Sequence, residues 1–181
     1  VINYDLPKEI EVGGLVYPIT KSGDYRLILD IITALNDDEL SEEERAIVCL
    51  MMFYGEIPEN PQEAISKMMW FINCGEDAKD KLDNKPPVMD WEQDFPLLIA
   101  PINKVAGIEI RSADYIHWWT FVSWYMEIGE CTFSNVVSIR QKRQKGMKLD
   151  KTEQDFFREN ADKVLLKNRL NQDDLDFLDE E

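Results

Sequence analysis

Apolar side chains at three- and four-residue intervals, opened repeatedly by helix-capping residues, constrain this 181-residue chain more than any other feature. The spacing predicts a helix over about 24–36, where Tyr25, Ile28, Leu29, Ile32 and Leu35 form one stripe. A second opens at Ser41 with Glu44 three residues on, a reciprocal capping pair. Its expected core face is Ile47, Leu50, Phe53 and Tyr54. A third opens at Asn60-Pro61 with Glu63, because Asn accepts from unpaired amides and Pro in the first turn sacrifices no hydrogen bond. Ile65, Met68, Met69 and Ile72 follow, and Gly75 offers a left-handed stop. A fourth runs over about 91–106 to Gly107, with Pro96 tolerated near its first turn and Pro101 expected to kink it. Further helices are predicted over Ser112 to Ile128, over Thr132 to Lys145, and from Asp150, where Glu153 completes another capping pair before Phe156, Phe157, Val164 and Leu165.

Residues 9–19 break the helical pattern. Ile10 and Val12 alternate with charged residues, Gly13-Gly14 supplies a two-residue turn, and Val16 and Ile19 follow, which reads as a β-hairpin. A lone hairpin is marginal in water, so it must lie on helices. The expected fold is therefore mainly α: a compact helical bundle of about seven helices with a short N-terminal β-hairpin. Residues 1–170 read as a single domain with a possible internal linker at 76–90, and 171–181 as a disordered acidic tail.

At 44% hydrophobic residues the chain is long enough to bury a core, which excludes a disordered polymer. Its net charge of −16 is unevenly spread. Residues 1–139 carry 10 basic and 25 acidic side chains, residues 140–169 carry 10 and 5, and residues 170–181 carry none and 6. The body should repel nucleic acid and anionic membranes, and only Arg140 to Arg169 could attract them. Neither is an expected partner. Cys49, Cys74 and Cys131 are odd in number and irregularly spaced, which suits reduced thiols in a cytoplasm. No basic stretch followed by an apolar one opens the sequence, and the most apolar run, Tyr115 to Ile128, is too short to span a bilayer.

Chemistry-bearing motifs are missing. The single histidine, His117, sits among tryptophans, with no cysteine or serine placed beside it by any nucleophile motif. The cysteines form no paired zinc spacing, and no glycine-rich phosphate loop or dinucleotide fingerprint occurs. Asp173-Asp174-Leu175-Asp176 lacks the glycine and glutamate of a calcium loop. No catalytic, metal or cofactor residues are assigned, and the chain is not expected to be an enzyme.

Binding is the better-supported expectation. On the helix predicted over Ser112 to Ile128, Tyr115, Trp118, Trp119, Val122, Tyr125 and Met126 share one face. His117, Phe121, Trp124 and Ile128 share the other. A helix apolar on two faces either sits at the centre of a bundle or offers one face to a partner. Those four residues are candidate partner-binding residues. In the tail, Phe177 and Leu178 form an acidic-hydrophobic string suited to a groove, and are also candidates.

The order Asp90-Trp91-Glu92-Gln93-Asp94, Gly107-Ile108-Glu109-Ile110 and Ile116-His117-Trp118-Trp119-Thr120-Phe121 closely resembles a bacteriophage family known as gene product fifteen. The likeness extends to Tyr4-Asp5-Leu6-Pro7, Asp24-Tyr25-Arg26, Arg140 and Phe156-Phe157-Arg158, and so covers most of residues 3–170. It implies a tail-assembly chaperone of long-tailed phages and prophages, binding the tape-measure protein and tail-tube subunits in the bacterial host cytoplasm, with self-association and no catalysis. The alternative is a structural tail component retained in the virion. Such a chaperone needs apolar, adaptable surface on a charged carrier, which Met51, Met52, Met68, Met69 and the second face of the 112–128 helix could supply.

Overall fold

The structure, a computed structural model, describes residues 5–76 and 87–167 together with Leu170 and Asp174. Phe177, Leu178 and most of the proposed linker and tail lie outside the described residues. Among the described residues the fold is mainly helical with one hairpin. In chain order the elements are β1 Glu9–Val12, β2 Leu15–Pro18, α1 Tyr25–Leu35, α2 Glu42–Tyr54, α3 Pro61–Ile72, α4 Trp91–Ala106, α5 Trp118–Met126, α6 Thr132–Gln144, α7 Lys151–Glu159 and α8 Ala161–Val164. They fall into two compact units, Val1–Asp83 with Ile110–Met126 and Asn84–Glu109 with Glu127–Glu181.

In the first unit β1 and β2 pair antiparallel around Gly13-Gly14, both at positive φ, with Ile10 opposite Tyr17 and Val12 opposite Leu15. Ile10, Val12 and Tyr17 turn into the core. The hairpin tip is tied to α3, where the Gly13 amide donates to Glu63 Oε2 at 3.0 Å. Each helix start follows its local signal: Asp24 caps α1, Ser41 and Glu44 form the capping box of α2, and Asn60 caps α3 ahead of Pro61. The core is aromatic. Tyr25 stacks on Phe121 at 4.6 Å, and Phe53 meets Phe71 edge-on at 5.3 Å, around buried Ile28, Ile31, Leu50 and Met68. Removing one such ring costs roughly 3–5 kcal/mol, so these contacts set the stability of the unit.

The second unit packs α4, α6, α7 and α8 around a smaller aliphatic centre of Val136, Ile139 and Val164, flanked by Leu97, Leu149, Phe156 and Phe157. Asp90 caps α4, which runs through Pro96 and Pro101 without a break to Gly107 at φ 71°. Asp150 and Glu153 form the capping box of α7.

Three expectations need correction. The helix expected over 112–128 is confined to Trp118–Met126, because Ile116 and His117 are engaged by Asp24 as extended backbone. The helix expected from Asp150 through Leu165 is two, α7 and α8, divided at Asn160, whose φ of −136° interrupts the first and whose carbonyl begins the second. Ile47, assigned to the core face of α2, is instead 43% exposed.

Candidate partner-binding surface

The expected second face of the 112–128 helix is not formed. His117 precedes α5 and is buried, and Phe121 lies in the aromatic core with no exposed surface. Trp124, one turn after Phe121 on α5, and Ile128, past the end of that helix, are half-buried. In the folded unit His117 and Phe121 are therefore not open to a partner.

The motifs that carry the family likeness instead hold the chain together. Asp24 caps α1 through the Arg26 amide, pairs with Arg26 Nε and Nη2 at 2.8 Å each, and accepts the Ile116 amide at 3.1 Å. Tyr25 donates its amide to Ile116, and Arg26 Nη2 reaches the Asp114 carbonyl at 2.9 Å. Asp24-Tyr25-Arg26 thus grips residues 114–117. Burial pushes the Asp24 carboxyl up, but the Arg26 guanidinium and the two amides outweigh it and hold it below the ordinary carboxylate range.

Trp118 and Trp119 reach the end of α3. The last carbonyls of a helix have no partner of their own. Here Trp118 Nε1 donates to Ile72 at 2.9 Å and Trp119 Nε1 to Phe71 at 2.8 Å. The Trp119 amide donates to His117 Nδ1, which leaves Nε2 as the hydrogen-bearing nitrogen, 3.0 Å from the Pro7 carbonyl. Burial pushes the imidazole below its ordinary value, partly opposed by the Pro7 bond and reinforced by Lys8. That leaves the ring neutral near pH 7, with both nitrogens engaged by the Pro7 carbonyl and the Trp119 amide.

A second clamp organises the other unit. Arg140 Nη1 and Nη2 form a two-pronged pair with Asp94 at 2.6 and 2.9 Å. Its remaining donors go to the carbonyls of Val88, Lys163 and Val164, so all five N–H groups are engaged. Gln93 donates to Leu165 and accepts the Lys167 amide, while the Asp90 amide donates to Asp94. Asp90-Trp91-Glu92-Gln93-Asp94 therefore fastens residues 163–167. The charge count could not foresee this lock, since it left Arg140 available to anions. The available signal was Asp94 sharing a helical stripe with the buried Leu98 and Ile102.

Much of the basic stretch is likewise engaged inside its own unit. Lys142 pairs with Glu153, and Arg143 pairs with Asp174 and lies 4.7 Å over the Phe157 ring.

Among the described residues, three neighbouring exposed apolar side chains lie on α2. Cys49, Leu50, Phe53 and Tyr54 face the core, while Ile47 at the border of that face and Val48 and Met51 beyond it are 43%, 36% and 46% exposed. Met51 is thus placed for contact, Met52 and Met69 are half-buried, and Met68 is core. Acidic side chains bracket this turn: Asp37, Asp38, Glu39, Glu42, Glu43 and Glu44 before it, Glu56 and Glu59 after it. Two bonds from Ser41 hold Glu44 below its ordinary value, so it stays ionised. The sequence offered Met51 as adaptable surface but placed Ile47 inside, although α2 carries too many apolar residues for one face.

A shallow groove of about 360 Å³ between Pro7–Glu11 and α3 mixes Glu9, Glu11 and Lys67 with Trp70. Among the described residues no group of three or more His, Cys, Asp or Glu is placed to hold a metal ion. No helix among them is long and apolar enough to cross a membrane.

The family model described as bacteriophage Gp15 protein matches residues 2–166, and the chain belongs to that family. No curated protein and no solved structure matches it.

Proposed function

We propose that this phage protein is a tail-assembly chaperone that binds the tape-measure protein, assists tail-tube assembly in the bacterial host cytoplasm, and performs no chemical step. The observation that carries the reading is the exposed Ile47, Val48 and Met51 turn of α2 on a chain of net charge −16. A carrier for a long helical protein needs apolar surface for its client and enough like charge to keep the complex dispersed. The family's bacteriophage origin supplies the setting.

Co-expression with a tape-measure gene of the same phage tests this. The expected result is a soluble tape-measure product that co-purifies with the chain, and purified virions that lack the chain. An insoluble tape-measure product, or a stoichiometric presence in virions, replaces the chaperone with a structural tail component.

A further inference from the structure

We propose that the outward face of α2 is a docking surface for one turn of a separate chain's amphipathic helix, apolar in its middle and flanked by Lys or Arg. This rests on the chaperone reading and names its contact surface. Ile47, Val48 and Met51 lie at i, i+1 and i+4, so they occupy neighbouring positions on one side of the helix. The stripe spans about 6 Å, enough to seat a large apolar side chain and its neighbour one turn away. Methionine adapts its shape to the side chain it meets, and a client with many similar helical turns needs that tolerance.

Charge selects the occupant. Six of the eight residues from Asp37 to Glu44 are acidic, and Glu56 and Glu59 follow the helix. The nearby cation, Arg45, lies only 3.9 Å from Asp38 and leaves the rim strongly negative. A second α2 docked antiparallel would bring these acidic ends onto one another, which is repulsive at both ends. An anionic lipid surface is repelled for the same reason. A helix with basic flanks is attracted, and its apolar residues displace water from Ile47, Val48 and Met51.

The test uses the intact chain and two synthetic peptides of about five helical turns. Both carry one leucine stripe, flanked by Lys in one and by Glu in the other. Binding is read by fluorescence anisotropy, with Met51→Glu as the test variant. Met126→Glu, altering a side chain on α5 that is 74% exposed, is the control. The Lys-flanked peptide should bind at least about tenfold more tightly than the Glu-flanked one. Met51→Glu should lose about tenfold in affinity with unchanged helicity and melting temperature, and Met126→Glu should bind as the original chain does.

Equal binding of the two peptides, or equal effects of the two variants, overturns the proposal. So does concentration-dependent dimerisation that Met51→Glu abolishes, because a second copy would then cover the face. Co-expression separates the two readings. If the original chain and Met51→Glu both solubilise the tape-measure product, the surface is wrong and the chaperone stands. If neither does while the peptide pattern holds, the surface stands and the chaperone falls.

Discussion

Asp24 and Asp94 are both buried acids at or near the start of a helix, each held by an arginine and each helping to fasten a segment far along the chain. Their arginines differ. The Arg26 side chain is 42% exposed and shares its charge with water, whereas Arg140 is 5% exposed and gives every donor to the protein. The surroundings differ in step. The Asp24 clamp lies beside a core of stacked and edge-on rings, and the Asp94 clamp beside a small centre of valine and isoleucine. Where packing is plentiful an ion pair need only orient the chain. Where the apolar core is small, the polar lock carries more of the order, and its loss should cost more.

The sharpest way to break the comparison is Arg140→Met. It strands the Asp94 carboxylate and leaves the carbonyls of Val88, Lys163 and Val164 without their donor. The expected loss is about 3–5 kcal/mol in urea denaturation. Adding Asp94→Leu should recover part of that loss, because no buried charge remains, but not all, because the carbonyls stay unpaired. A loss below about 1 kcal/mol for Arg140→Met would remove the distinction between the two clamps.

Gly23→Ala probes the packed side. Gly23 sits at φ 73°, and an added Cβ would lie 2.5 Å from Phe71 Cζ, inside the aromatic core. Overpacking and the left-handed backbone together should cost about 2–4 kcal/mol, visible as a lower melting temperature. Arg26→Ala should cost less, about 1 kcal/mol or under, because solvent already screens that pair. If Arg26→Ala matched Arg140→Met, exposure would not be what separates the clamps.

Acid should act least and in a defined order. The lowered value of His117 means the unfolded chain takes up a proton first, so stability is full above about pH 6.5 and falls as pH drops through the folded value. Asp24, also lowered, keeps its contribution above about pH 4 and loses it as pH falls through its own folded value. His117→Asn should remove the first phase and leave the second, as read by thermal melts across pH 3.5–7.5.

The helix starts at Ser41, Asn60 and Asp150 and the turn at Gly13-Gly14 could be read directly, because caps and tight turns are decided by residues within a few positions of one another. The start of α5 could not. Ile116 and His117 would continue the helical pattern, but their backbone is engaged by Asp24, more than ninety positions earlier. The same reason hid the role of His117: its spacing allowed either a packed central helix or a partner-facing stripe, while its ring bonds the Pro7 carbonyl and the Trp119 amide. Ile47 shows the converse failure. Periodicity tells which residues share a face, and only packing tells which of two apolar faces is covered.

Asp24-Tyr25-Arg26 and Asp90 to Asp94 hold the fold, which leaves the outward turn of α2 open for the proposed client contact. Oxidative footprinting of the methionines in a purified complex with the tape-measure product tests it most directly. Free, the chain should oxidise readily at Met51, Met126 and Met147 and slowly at the buried Met68. In the complex, Met51 alone of the three exposed methionines should become protected. Continued oxidation of Met51 with protection at Met126 or Met147 would place the client elsewhere than on α2.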